Sequence, residues 1–183
     1  GGTARGTTAL ADGDGVLIND GGTMRMTTVQ TVKTYMGGDN TPAFFAYMNG
    51  NTNMASNTNV KLEMDEEYYD TDSAYDKDTN YRFTVPSGEG GKYQISYSTG
   101  ITSDADEAVV AKIHINGSYI DKRSLAVYSG VVNTSIATGS TGSAVIVLAA
   151  GDYVELYGNH SGSSTEISNQ NYCWFQGFKL IGV

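Results

Sequence analysis

Residues 75–97 read YDKDTNYRFTVPSGEGGKYQISY. Two strand-like runs, Tyr81–Val85 and Lys92–Ser98, flank Pro86-Ser87-Gly88-Glu89-Gly90-Gly91. Pro86 has no N–H to give a ladder and pushes Val85 to extended backbone, so the first run ends there. The glycines then let the chain reverse. In the second run Tyr93, Ile95 and Tyr97 alternate with Lys92, Gln94 and Ser96. A period of two means one buried face and one wet face. The stretch predicts a scaffold of short antiparallel strands.

Working outward, the same pattern recurs. Downstream, Ala108–Asn116, Tyr119–Val127, Gly130–Ala137, Ser143–Ala149, Tyr153–Tyr157 and Tyr172–Ile181 read as strands. Their links are Asn116-Gly117-Ser118, Ser129-Gly130, Gly139–Gly142 and Gly151-Asp152. Asn116-Gly117 is the best hairpin signal in the chain. Upstream, residues 42–47 (PAFFAY) open the series, 49–59 form a polar loop, 60–64 a short strand and 65–78 an acidic loop. Residues 144–148, AVIVL, are apolar on both faces and predict a central strand covered on both sides, by core on one and with a sister subunit as the candidate cover for the other. This spacing indicates an all-β antiparallel sandwich or jelly roll.

The first 38 residues differ. GGTARGTTALADGDG is small, polar and Gly-rich; it reads either as a disordered tail or as an arm that orders against a neighbouring subunit. Val16-Leu17-Ile18 and Thr23-Met24-Arg25-Met26 flank Asn19-Asp20-Gly21-Gly22, which is hairpin-turn chemistry. Thr27 with Gln30 resembles a capping box, and Val29, Val32 and Met36 share one helical face before Gly37-Gly38 ends it. So small a unit cannot hold its own core. The expectation is a connector or assembly segment over 1–38 and a jelly-roll head over 39–183, with Val16, Leu17, Ile18, Val29, Val32, Met36, Val145 and Val147 as assembly residues.

Bulk properties exclude several classes. The 183 residues carry a formal charge of −9, with 11 Lys and Arg against 20 Asp and Glu. That argues against a nucleic-acid partner, which needs clustered cations. No run is long enough to insert in a membrane as a helix. Cys173 is the lone cysteine, set in Tyr172-Cys173-Trp174-Phe175; it reads as a small buried hydrophobe with no basic neighbour to activate it. The chain begins Gly-Gly-Thr, which suggests a processed product, a fragment or a start that is not included.

Four motifs then carry a resemblance. Ala43-Phe44-Phe45-Ala46 resembles the opening strand of the complement component 1q globular-head family, related to the tumour-necrosis-factor jelly roll. Tyr75-Asp76, Phe83-Thr84-Val85-Pro86 and Gly91-Lys92-Tyr93 resemble its central signature. Leu148-Ala149-Ala150-Gly151-Asp152-Tyr153-Val154-Glu155-Leu156 and Phe175-Gln176-Gly177-Phe178-Lys179-Leu180 resemble its last two elements. Asn80 and Tyr81 stand where the family usually has glycine, and residues 1–41 contain no collagen repeat. Leu17-Ile18-Asn19-Asp20-Gly21-Gly22-Thr23 is similar to short repeats of phage tail and virion fibre proteins. The resemblance implies a trimer-forming or polymer-forming jelly roll used for display, assembly or adhesion.

No catalytic constellation accompanies it. The histidines are His114, read as a surface residue on a polar strand face, and His160, in a Gly/Ser loop. No serine elbow, paired-histidine metal motif or phosphate-binding loop occurs. Asp76 and Asp78, and Asp104, Asp106 and Glu107, are the calcium candidates, though a solvated acidic loop is the plainer reading and no cofactor is expected. Carboxylate pairs can serve a glycosidase, but no apolar cleft is implied to raise one pKa. Asn116, Asn133 and Asn159 begin Asn-x-Ser/Thr sequons. Tyr68, Tyr69, Tyr81, Tyr119, Tyr128 and Tyr157 can stack on sugars or pack between subunits. The expected function is a non-enzymatic structural subunit of a self-assembling fibre, filament or virion appendage, extracellular or on a virion surface, with copies of itself as partners. The alternative is a receptor-binding tip that grips a cell-surface glycan.

Overall fold

A computed structural model describes residues 9–36, 40–102, 107–120, 126–130, 138–161, 165–167 and 172–181. It divides into two units, Gly1–Asp39 and Asn40–Ile181.

In the first unit, β1 (Gly15–Asp20) pairs antiparallel with β2 (Thr23–Thr28), closing on Asp20 opposite Thr23. Gly21 and Gly22 both take positive φ, 57° and 91°, as a tight turn between right-twisted strands demands. Asn19 Oδ1 accepts from Gly22 N at 2.8 Å and fixes the turn. The helix α1 (Val29–Tyr35) starts one residue later than the Thr27 reading implies. Thr28 is the N-cap, its Oγ1 accepting from Thr31 N at 3.2 Å. No described residue of this unit is buried.

The second unit is a β-sandwich. Its strands in chain order are β3 (Ala43–Tyr47), β4 (Thr52–Met54), β5 (Val60–Lys61), β6 (Glu66–Asp70), β7 (Tyr75–Asp76), β8 (Arg82–Thr84), β9 (Gly91–Thr102), β10 (Glu107–Ile115), β11 (Ser118–Tyr119), β12 (Ala126–Gly130), β13 (Thr138–Leu148), β14 (Tyr153–His160), β15 (Thr165–Ile167) and β16 (Trp174–Lys179). One sheet has the order β4-β15-β9-β16-β3-β6, with β13 on β9. The other has the order β11-β10-β14-β8-β7, with β12 on β10 and β5 on β14. Every pairing is antiparallel. This is the all-β jelly-roll sandwich that the strand spacing predicts.

Alternation builds the core. Phe44 and Ala46 of β3, Tyr93, Ile95 and Tyr97 of β9, and Phe175 of β16 meet Phe83, Ile113, Val154 and Leu156 from the facing sheet. The buried tyrosines keep a partner for each hydroxyl. Tyr93 donates to Glu89 O at 2.6 Å, Tyr75 to Met64 O at 3.3 Å and Tyr97 to Ala111 O at 3.4 Å.

The runs flanking Pro86 lie in different sheets, β8 in one and β9 in the other, so the glycine-rich loop crosses the sandwich. Three readings are corrected. Ser129-Gly130 and Gly139–Gly142, read as links, lie within β12 and β13, because glycine in a strand leaves the ladder hydrogen bonds intact. Residues 65–78 are not merely loop, because Glu66–Asp70 pairs with β3 and Tyr75–Asp76 with β8; the acidic side chains mask that periodicity. Residues 144–148 do not form a central strand. Among the described residues β13 pairs only with β9, and Val145 and Val147 are 52% and 74% exposed.

Candidate functional site

The outward face of the first sheet concentrates apolar groups at both edges. The ladder sets them in rows. Tyr47 stands opposite Trp174, Trp174 opposite Ser98 and Ser98 opposite Thr141. The next row runs Phe45, Gln176, Ser96, Ser143, and the third Ala43, Phe178, Gln94, Val145. A bulge between Phe45 and Ala46 lets β6 supply an additional residue there. Tyr68 meets Phe45 edge-on with centroids 5.7 Å apart and tilts against Tyr47 at 6.0 Å. Phe45 stacks on Trp174 at 5.8 Å. These four rings line a cavity of about 340 Å³. Tyr68 is 80% exposed. Between the aromatic edge and the Val145/Val147 edge lies a polar strip, in which Gln94 Nε2 donates to Ser143 Oγ and the Ser96 and Ser143 hydroxyls share a hydrogen bond of 3.1 Å.

Phe45, Tyr47 and Trp174 were absent from the aromatic set singled out by sequence. Their signal lay in β3 and β16, where large residues occupy both faces of the alternation, Phe44 inward and Phe45 outward, Phe175 inward and Trp174 outward. Of the assembly residues, Leu17 and Ile18 on β1 and Met36 after α1 are exposed, and Val16, Val29 and Val32 are half-buried.

The second sheet carries an outward face of a different kind. His114 is buried, not a plain surface residue, because Tyr157 covers it, stacked at 3.9 Å and 18°. Neither ring nitrogen has a hydrogen-bond partner of good geometry. Burial lowers the His114 pKa below its ordinary 6.5; the Gly117 backbone and the Glu155 carboxylate oppose that, and Lys112 adds to it. A histidine held neutral in the fold but free to charge when unfolded withdraws stability as pH drops from about 6.5 toward the depressed folded value. His114→Phe is expected to flatten that part of the profile, measured as urea midpoints at about pH 7.5 and about pH 5; an unchanged slope contradicts this account. His160 is also buried, as the last residue of β14 rather than in a loop, its Nε2 2.9 Å from Met54 O.

The remaining candidates do structural work or fall outside the described residues. Asp76 accepts from Asn80 Nδ2 at 2.6 Å, Thr79 N at 2.9 Å and Asp78 N at 3.2 Å, and these bonds, the Asn80 side chain foremost, lower its pKa. Asp78 is exposed. Asp104 and Asp106 lie outside the described residues, and Glu107 begins β10. Among the described residues no three His, Cys, Asp or Glu side chains gather as metal ligands. Asn116 takes φ 52° in its turn, donates to Asp152 Oδ1 at 2.8 Å and accepts from Tyr153 N at 3.0 Å. Asn159 lies within β14, its Nδ2 donating to Asn59 Oδ1 at 3.2 Å; Asn133 lies outside the described residues. The Cys173 thiol is buried and pushed up to about 11 by that burial, which leaves it unreactive at neutral pH. Among the described residues no helix is long and apolar enough to cross a membrane.

No protein-family profile matches the sequence, and no curated protein matches it either. Solved structures do. The globular domain of zebrafish complement 1qA protein has a TM-score of 0.54 at 17% identity, over 76% of this chain and 97% of that one. Eiger TNF from S. frugiperda has a TM-score of 0.54 at 14% identity, over 75% and 91%. Murine APRIL at pH 5.0 has a TM-score of 0.53 at 10% identity, over 75% and 98%. At such low identity what is shared is the course of the backbone, and this chain carries the jelly-roll fold of complement 1q globular domains and tumour-necrosis-factor-type proteins.

Proposed function

We propose that this protein is a non-enzymatic structural subunit that assembles with copies of itself, as a closed trimer or a fibre, on a virion or another extracellular surface. The observation that carries the reading is the outward face of the first sheet. Its aromatic edge, Phe45, Tyr47, Tyr68 and Trp174, and its aliphatic edge, Val145 and Val147, lie at opposite sides of one face. Exposed apolar surface of this kind favours a partner. Opposite edges that differ in shape suit a head-to-tail contact, which closes into a ring or continues as a fibre according to its rotation. For an axis along the strands, residues of one row lie at one height, so Phe178 and Ala43 of one copy would lie level with Val145 of the next. The polar strip of Gln94, Ser96 and Ser143 would then face the axis. The first unit supplies a second contact. A two-stranded hairpin with a short helix is at best marginally stable alone, and it exposes Leu17, Met24, Met26 and Met36.

Trp174 is the only tryptophan in the chain, so its emission reports directly on this face. Association is expected to shift that emission to the blue with rising concentration, in step with the sedimenting mass. Val145→Arg with Val147→Arg should yield a monomer whose melting profile is otherwise unchanged. A wild-type chain that stays monomeric up to its solubility limit sinks the proposal.

A further inference from the structure

The outward face of the second sheet is a strip of cations and tyrosines in a chain of net charge −9. Register again sets the rows. Lys112 stands opposite Tyr157, and Tyr157 opposite Lys61. The adjacent row is Tyr119, His114 and Glu155. The cations are held in place. Lys112 Nζ donates to Asn59 Oδ1 at 2.9 Å and lies 5.5 Å from the Tyr119 ring centroid. Asn159 Nδ2 donates to the same oxygen at 3.2 Å. The Arg82 guanidinium lies 4.1 Å from the Tyr153 centroid. Lys61 is committed to buried Glu155 at 2.5 Å and to Asn80 O at 3.2 Å. Asp76 stands opposite Arg82, with its oxygens engaged by the 78–80 turn. His114, beneath Tyr157, keeps that ring flat on the sheet.

We propose that this strip binds an anionic glycan, a sugar chain that carries carboxylates. Lys112 and Arg82 meet the carboxylates, the Tyr157 and Tyr119 rings lie against the sugar rings, and the Asn59–Asn159 amide pair meets hydroxyls. The cations are already ordered by the amide and ring contacts, so little side-chain freedom is lost on binding. Tyrosine supplies flat area with a polar tip, which suits a hydroxylated ring better than an aliphatic side chain. An acidic peptide fits less well, because side-chain anchors need pockets, and the strip is a run of rings and amides laid along strands. The inference does not depend on self-association, since the strip and the aromatic cavity lie on different sheets.

The test is calorimetric titration of the full chain with oligogalacturonate, a neutral dextran oligomer of equal length, and poly-glutamate. Oligogalacturonate is expected to bind, and to bind more weakly as salt rises; dextran and poly-glutamate should bind at least about tenfold more weakly, since each lacks one of the two recognised features. Lys112→Gln and Tyr119→Ala, which remove exposed or half-exposed groups, should each weaken oligogalacturonate about tenfold. Lys33→Gln, in the other unit, should leave it unchanged. The proposal is overturned by no binding of oligogalacturonate, by equal binding of poly-glutamate, or by wild-type affinity in both strip variants.

Discussion

Phe44→Ala is expected to remove about 3–5 kcal/mol of stability, a large share of what a domain of this size holds. Phe44 is fully buried. Its ring stacks on Phe83 at 4.7 Å and on Tyr75 at 5.2 Å, and meets Phe175 edge-on at 5.0 Å. Phe83 and Tyr75 belong to the second sheet and Phe175 to the first, so this one side chain joins both layers. Truncation loses the transfer term and leaves a hole that strands on two ladders cannot close. Gly177 sharpens the point. A Cβ there would stand 2.5 Å from Ile95 Cδ1 and 2.9 Å from Phe44 Cε1, so the Phe44 ring occupies the space that glycine leaves. Urea denaturation checks the expectation; a loss under about 1 kcal/mol means the core relaxes around the gap.

Lys61→Met is expected to cost about 2–3 kcal/mol, toward the low end for a broken buried pair because Lys61 keeps 29% of its side-chain exposure. Glu155 is almost wholly buried on the outward side of β14, and Lys61 Nζ lies 2.5 Å from its Oε1. Removing the lysine strands a buried carboxylate on the residue opposite His114 in the ladder. The cost therefore belongs to the orphaned charge more than to the pair. Lys61→Met combined with Glu155→Met should recover most of the loss, and the double-mutant cycle measures the coupling. Additive losses in the double variant contradict this account.

The fold was legible because alternation is a local property. Tyr93, Ile95 and Tyr97 announce their sheet whatever lies around them, and Asn116-Gly117 announces its turn through φ values of 52° and 76° that few residue pairs accept. Partnership between strands is not local. Tyr75–Asp76 and Arg82–Thr84 pair in one sheet while Gly91–Thr102 belongs to the other, and nothing in YDKDTNYRFTVPSGEGGKYQISY distinguishes a hairpin from a crossing. The acidic stretch 65–78 hid two strands because an edge strand tolerates charge on its outer side.

By itself, the amino-acid order determined the all-β class, the turns at Asn19–Gly22, Asn116-Gly117 and Gly151-Asp152, and the likeness to jelly-roll heads. Only the tertiary structure decided which faces are left open. The strand that holds Val145 and Val147 read as central and became an exposed edge, His114 read as surface and became buried, and Phe45, Tyr47, Tyr68 and Trp174 met around one cavity although 129 positions separate the first from the last. The physical reason is that alternation assigns a side chain to one of two faces, whereas burial depends on what other strands bring to that face, and long-range pairing alone settles that.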